Sequence, residues 1–204
     1  MANNINTVIF DLGGVLIDWN PNYLYDKIFD DEKEKKYFLS EICTPDWNEQ
    51  QDAGRNLAEA TDILLEKHPE YGMEIKAYYG RWVEMLGELM YDTIEILEHL
   101  HRKNTLRLYA LTNWSAETFP YALENFEFLQ LFEGILVSGV EKMKKPEPEI
   151  YQLILDRYQI KAQQSVFIDD SQKNIKGAEA FNINGIHFQS AQQLKADLEG
   201  LGVL

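Results

Sequence analysis

Apolar positions along this chain follow two regimes. Residues 6–10 hold the short run Val8, Ile9, Phe10 and lead into Asp11, Leu12, Gly13, Gly14, the pattern of a buried strand entering a tight loop. From Pro21 to about Tyr91 no strand pattern stands out. Stretches 56–67 and 74–89 are rich in Ala, Leu, Glu and Met, residues that favour helix. Beyond that block the pattern alternates. It predicts helix 93–103, strand 106–111, helix 116–125, strand 134–137, helix 148–158, strand 165–168, helix 174–181, strand 185–188 and helix 191–198. Pro120 falls inside one of these helices and is compatible with it only in a first turn.

Strands alternating with helices predict βαβ units, and therefore an α/β fold with a doubly wound, Rossmann-like parallel sheet covered on both faces. The isolated first strand must join that sheet. The expected organisation is thus a core from residues 1–18 and 92–204, with residues 19–91 inserted after the first strand as an all-helical cap.

Composition narrows the partners. The 204 residues carry 34 acidic and 19 basic side chains, a formal charge of −15, which is the wrong sign for covering nucleic-acid phosphates. A small phosphorylated metabolite is compatible with it, because a metal ion and one lysine can set the local potential against the global charge. Cys43 is the single cysteine, so the chain forms no internal disulfide and no cysteine-rich zinc site. Its thiol reads as inert. Residues 1–6 are polar and no apolar run approaches the roughly 18 residues of a membrane span. Cytoplasmic residence without membrane contact is expected.

Open parallel sheets bind ligands at the carboxyl ends of their strands. Four polar clusters fall there: Asp11 with Gly13 and Gly14, Thr112 with Asn113, Lys145 with Pro146, and Asp169 with Asp170. One Asp after a strand is as often a helix cap as a catalyst. Four clusters together meet the specification of phosphoryl transfer. Asp11 offers a carboxylate nucleophile, and Asp11, Asp169 and Asp170 offer hard oxygens for Mg²⁺. Lys145 covers charge on the transferring group, while Thr112 and the backbone N–H of Asn113 donate to its oxygens. Gly13 and Gly14 let the main chain turn without a Cβ in the way.

The segments Phe10-Asp11-Leu12-Gly13-Gly14-Val15, Leu111-Thr112-Asn113, Lys145-Pro146 and Ile168-Asp169-Asp170-Ser171-Gln172-Lys173-Asn174 resemble, in order and spacing, the four motifs of the haloacid dehalogenase superfamily. That resemblance implies a Mg²⁺-dependent hydrolase with a specificity-giving helical cap. It makes Asp11 the nucleophile and a metal ligand, Thr112 the phosphate-binding hydroxyl and Lys145 the essential lysine. It makes Asp170 the principal acidic metal ligand, joined by the carbonyl of Gly13. Asp169 becomes an assisting or water-mediated ligand, and Asn174 a residue that holds the loop or Lys145.

One departure bears on substrate. Phosphatases of this superfamily commonly carry a second Asp two residues after the nucleophile, as general acid and base, where this chain has Gly13. The Asp-Leu-Gly variant resembles a branch that includes α-D-glucose-1-phosphate phosphatases, and an anomeric oxygen leaves more readily than an ordinary alkoxide. The expected activity is therefore hydrolysis of a small phosphomonoester, such as a sugar 1-phosphate, through an aspartyl-phosphate at Asp11. Asp46, Glu49 or Asp52 of the cap could replace the missing acid, or could be solvated helix charges. A metal-independent 2-haloacid dehalogenase and a catalytically weak regulatory or binding homologue are the alternatives. Trp19, Trp47, Tyr78, Tyr79, Trp82 and Trp114 could line a substrate pocket, Trp114 foremost, or could be core. His99 and His101 share no helix face, and His68 and His187 have no evident partner. No phosphate-binding loop of nucleotide-hydrolase type occurs.

Overall fold

The computed structural model describes residues 5–204; residues 1–4 of the polar N-terminal stretch lie outside it. Its strands are β1 (Thr7–Phe10), β2 (Ile17–Trp19), β3 (Leu86–Leu89), β4 (Arg107–Thr112), β5 (Gly134–Val137), β6 (Ser165–Asp169) and β7 (Asn184–His187). Five form one parallel sheet in the order β5-β4-β1-β6-β7. β1 is buried along its whole length and has β4 on one side and β6 on the other. The chain therefore builds outward from β1 twice, in opposite directions, which places the switch point of strand order at the carboxyl end of β1.

Period-two alternation separates the two faces of the sheet. Val8, Phe10, Leu108, Ala110, Val166 and Ile168 share one apolar cluster with Leu97, Leu100, Leu194 and Leu198 from helices on that side. Ile9, Tyr109, Leu111 and Phe167 share the other with Ile150, Tyr151, Ile154 and Ile175. Both faces are thus covered, as the alternation of strands and helices requires.

The helices are α1 (Asn22–Tyr25), α2 (Glu32–Tyr37), α3 (Pro45–Asp52), α4 (Leu57–Lys67), α5 (Gly72–Gly80), α6 (Tyr91–Lys103), α7 (Phe119–Asn125), α8 (Ser138–Glu141), α9 (Pro148–Arg157), α10 (Gln172–Glu179) and α11 (Ala191–Gly200). Side-chain oxygens of Asp31, Thr44, Asn56 and Ser190 accept from first-turn N–H groups of α2, α3, α4 and α11, which satisfies donors the helices cannot satisfy themselves. Asn104 ends α6 in the left-handed region at φ 51°. Pro120 occupies the first turn of α7, which begins at Phe119 rather than at residue 116.

The segment between β2 and β3 has an apolar cluster of its own, with Leu24, Tyr25, Phe38, Ile42, Trp47, Ala60, Leu64, Ile75, Tyr78 and Met85. The helix expected over 74–89 is not one element. α5 ends at Gly80, a single turn covers Trp82–Met85, and Leu86–Leu89 is the strand β3. β3 runs antiparallel to β2, with Ile17 opposite Leu89 and Trp19 opposite Leu86. Leu, Gly and Glu carry no strand preference, so long-range pairing overrides local propensity here.

Candidate active site

Register creates the centre of the site. Phe10 stands opposite Ile168 in the β1–β6 ladder, so the next residues, Asp11 and Asp169, emerge side by side on the same face. The N–H of Asp11 donates to the carbonyl of Ile168 at 2.8 Å, which extends the ladder one step and fixes the backbone of Asp11. On its other flank, Phe10 faces Ala110. This brings the end of β4, with Leu111 and Thr112, alongside.

Lys145 fills the space between. Its side chain is fully buried, and its Nζ contacts Asp11 Oδ2 at 2.8 Å, Asp169 Oδ2 at 2.7 Å and the carbonyl of Leu111 at 2.9 Å. An ammonium has three donors, and all three are used. Burial alone pulls the lysine toward neutrality, but Asp11 and Asp169 more than offset it and hold the amine above its ordinary range. Burial pushes the Asp11 carboxyl above its ordinary range; Lys145 opposes this and Asp169 adds to it. An isolated charge in such surroundings is costly, so the group stays mutually dependent.

Asn113 and Asn174 lock this arrangement. Asn113 accepts from the Lys145 N–H at 2.8 Å and donates to the Lys145 carbonyl at 3.0 Å, a two-point clamp on the lysine's own backbone. The next peptide bond, Lys145–Pro146, is cis. Asn174 donates to both oxygens of Asp169, at 3.0 and 3.1 Å, and Ser171 N–H adds 2.8 Å to Oδ1. Asn174 therefore acts on Lys145 through Asp169 rather than directly. Thr112 ends β4 and is 1% exposed; it is not in the lining of the cavity, to which its neighbours Asn113, Trp114 and Ser115 belong.

The donor set fits a hard divalent cation. One oxygen from each of Asp11, Asp169 and Asp170 lies within 4.8 Å of the others, and three carboxylates face a single ammonium. Asp169 spends its oxygens on Lys145, Asn174 and Ser171, whereas Asp170 sits at the exposed rim against Gly14. A Cβ on Gly14 would stand 2.3 Å from Asp170 Oδ2. Asp11 and Asp170, with the Gly13 carbonyl, are the residues that could hold the ion. Partial burial, with Asp169 adding to it, raises Asp170 above the ordinary carboxyl range; a cation there would reverse that.

The cavity above these groups measures about 540 Å³ and takes in both the sheet end and the helical segment. Asp11, Gly13, Gly14, Asn113 and Asp170 form its core side, and Trp19, Tyr78, Tyr79, Trp82 and Trp114 much of its aromatic surface. Trp114 donates through Nε1 to Thr118 at 3.0 Å and meets Trp82 edge-on at 6.2 Å. Trp47 is not in the lining; it packs edge-on against Tyr78 at 5.0 Å in the segment's own core.

The structure separates the three acids weighed as replacements for a carboxylate at position 13, and it gives two histidines their partners. Glu49 of α3 is bridged by Lys144 and by Lys173, the latter at 2.9 Å, which ties the helical segment to the loop before α9 and to the first turn of α10 and holds Glu49 below the ordinary carboxyl range despite partial burial. Asp52, at the end of α3, faces the cavity, and burial with Glu49 nearby pushes it up to about 7. Asp46 is exposed and plays no part in the lining. The partnerless reading of two histidines is corrected: His187 Nε2 lies 2.9 Å from the carbonyl of Asp170, and His68 pairs with Glu70 at 3.8 Å. All of these contacts join positions far apart in the chain or on neighbouring turns, which periodicity does not reveal.

Comparison with known proteins agrees with the geometry. Residues 5–182 match the family model for haloacid dehalogenase-like hydrolases. A sesquiterpene phosphatase of Aspergillus oryzae is 29% identical over 189 residues, covering 92% of this chain and 91% of the relative. A phosphoglycolate phosphatase of Aliivibrio fischeri is 25% identical over 188 residues, covering 88% and 82%. A haloacid dehalogenase family enzyme of Bacteroides thetaiotaomicron, crystallised with magnesium and inorganic phosphate, superposes with a TM-score of 0.69 at 27% identity, covering 91% of this chain and 95% of that one. Among the described residues no helix is long and apolar enough to cross a membrane. The chain belongs to the haloacid dehalogenase-like hydrolases.

Proposed function

We propose that this chain is a Mg²⁺-dependent phosphatase that hydrolyses a small phosphomonoester through a phosphorylated Asp11. The observation that carries the reading is the buried Lys145 held between Asp11 and Asp169, with Asp170 and the two glycines at the open rim. Mg²⁺, when held by Asp11, Asp170 and the Gly13 carbonyl, supplies positive charge against the phosphoryl oxygens. Asp11 supplies the nucleophilic carboxylate. Lys145 covers charge on the transferring group, and Thr112 with the Asn113 backbone positions it. Asn174 and Asp169 keep the ammonium in place. The helical segment covers the cavity and selects the organic group. The phosphatase names of two relatives and the magnesium and phosphate of the Bacteroides enzyme support this.

For the organic group, a sugar 1-phosphate is proposed. Gly13 offers no acid, and aromatic walls such as Trp82 and Trp114 suit the apolar faces of a sugar ring. The test is phosphate release from a panel of monoesters with and without chelator. Chelator-sensitive release, abolished in Asp11→Asn and favouring anomeric phosphates, is expected. Chelator-insensitive halide release from a 2-haloacid without phosphate release would overturn the reading in favour of a dehalogenase. Phosphate binding without turnover of any ester would point to a regulatory homologue.

A further inference from the structure

We propose that Asp52, at the end of α3, donates the proton to the departing alcohol in place of the acid that Gly13 lacks; this rests on the phosphatase reading. Position 13 is empty in a literal sense, since a Cβ built there meets nothing within 4 Å. A leaving alkoxide that needs a proton must then take it from another wall of the same cavity.

Three acids of α3 were candidates, and the structure separates them. Asp46 is exposed and outside the lining. Glu49 is bridged by Lys144 and Lys173 and stays ionised. Asp52 faces the cavity shared with Asp11, and its carboxyl accepts from Asn48 Nδ2 at 3.2 Å. Its own carbonyl accepts from Ser138 Oγ, and Glu117 accepts from the N–H of Leu57 at 2.8 Å. These two contacts anchor the end of α3 and the start of α4 to the core, so the acid is fixed relative to the nucleophile.

Protonation balance suits the role. Glu49 from its own helix, Lys144 and Lys145 from the loop before α9, and Tyr78 and Tyr79 from α5 are the titratable groups around it. Burial and Glu49 raise Asp52 and the lysines lower it, leaving it near 7, where a group can both give and take a proton at neutral pH. As the Asp11 carboxylate forms its bond to phosphorus, the bond from phosphorus to the ester oxygen breaks. That oxygen keeps the electron pair and takes the Asp52 proton, leaving as the alcohol. In the second half, water attacks phosphorus, its proton passes to the Asp52 carboxylate, and phosphate departs as the Asp11 carboxylate is restored.

The experiment compares Asp52→Asn with wild type on an alkyl phosphate and on 4-nitrophenyl phosphate, whose leaving group needs no proton. The proposal expects kcat/KM to fall about 10²- to 10⁴-fold on the alkyl ester, with a far smaller loss on the aryl ester. It also expects the alkaline limb of the wild-type pH profile, near 7, to vanish in the variant. Asp52→Asn combined with Gly13→Asp should recover alkyl-ester turnover. Equal losses on both esters, or an unchanged alkaline limb, would overturn the role of Asp52 alone. Wild-type protein that releases phosphate from neither ester would overturn the phosphatase reading itself.

Discussion

Asn174 holds both oxygens of Asp169 through one amide nitrogen, at 3.0 and 3.1 Å, and Asp169 in turn holds Lys145. An amide that does not touch Lys145 therefore aims its ammonium through Asp169. Asn174→Ala removes that donor and leaves a buried carboxylate less satisfied, a loss of about 1–3 kcal/mol. Thermal unfolding should report the destabilisation. Phosphate-transfer rate should fall while KM changes little, because the variant disturbs charge cover rather than the pocket. Unchanged stability and rate would remove Asn174 from the network.

The two glycines after Asp11 predict opposite outcomes. Gly14 has φ +72°, and a Cβ there would meet Asp170 Oδ2 at 2.3 Å, so Gly14→Ala combines left-handed backbone strain with displacement of a proposed metal ligand. It should destabilise the protein by more than about 1 kcal/mol and weaken magnesium binding. Gly13→Ala meets nothing within 4 Å and should fold like the parent. Denaturant midpoints for the pair, with magnesium titrations, check both halves. Equal behaviour of the two variants would refute the contrast.

Metal binding can be read without turnover. A ligand at 100 times its dissociation constant stabilises the native state by about 2.7 kcal/mol if the unfolded chain does not bind it. Magnesium should therefore raise the melting temperature of wild-type protein in a concentration-dependent way, and chelator should reverse the rise. Asp170→Asn removes the carboxylate that no lysine claims, and the shift should disappear while the fold persists. A shift retained in full by that variant would place the ion elsewhere.

The parallel core was legible because β1, β4 and β6 are short and largely apolar and each ends in a polar cluster, and the fold then brings Asp11, Asp169 and Lys145 together. The β2–β3 ribbon was not legible. Leu86–Leu89 has the composition of a helix end, and only its pairing with Ile17–Trp19 makes it a strand. Asn113 was legible as a site residue, but its clamp on Lys145 spans 32 positions and leaves no trace in spacing. Glu49 reads as one more solvated helix charge until folding brings Lys144, 95 positions away, beside it. Local pattern fixes what a segment can become, whereas the partners of a charge depend on the completed topology.

Trp114 joins the sheet end of the cavity, next to Asn113, to its aromatic wall. It packs against Phe119 at 5.6 Å and Trp82 at 6.2 Å and presents to the cavity. Trp114→Ala should raise KM by roughly tenfold or more through lost apolar contact, with a smaller fall in kcat. Steady-state kinetics on the preferred ester separate the two constants. An unchanged KM would take Trp114 out of the pocket.

Asp52 also carries a stability prediction that does not depend on catalysis. Its carboxyl titrates near 7 in the folded protein against an ordinary value of 3.8, chiefly through burial. Between those values the native state binds a proton that the unfolded chain has released, so the group's contribution to stability falls as pH rises. Below about 4 both states are protonated and above about 7 both are ionised, so the slope is confined to that window. Asp52→Asn keeps the shape and removes the titration. The melting temperature of the variant minus that of wild type should therefore grow between pH 4 and 7 and level off above. Other acids titrate in both proteins and cancel in the difference. A difference that stays flat across the window, or that shrinks with pH, would mean that the buried environment does not raise the Asp52 carboxyl, and the acid assigned to it in phosphate transfer would lose its physical basis.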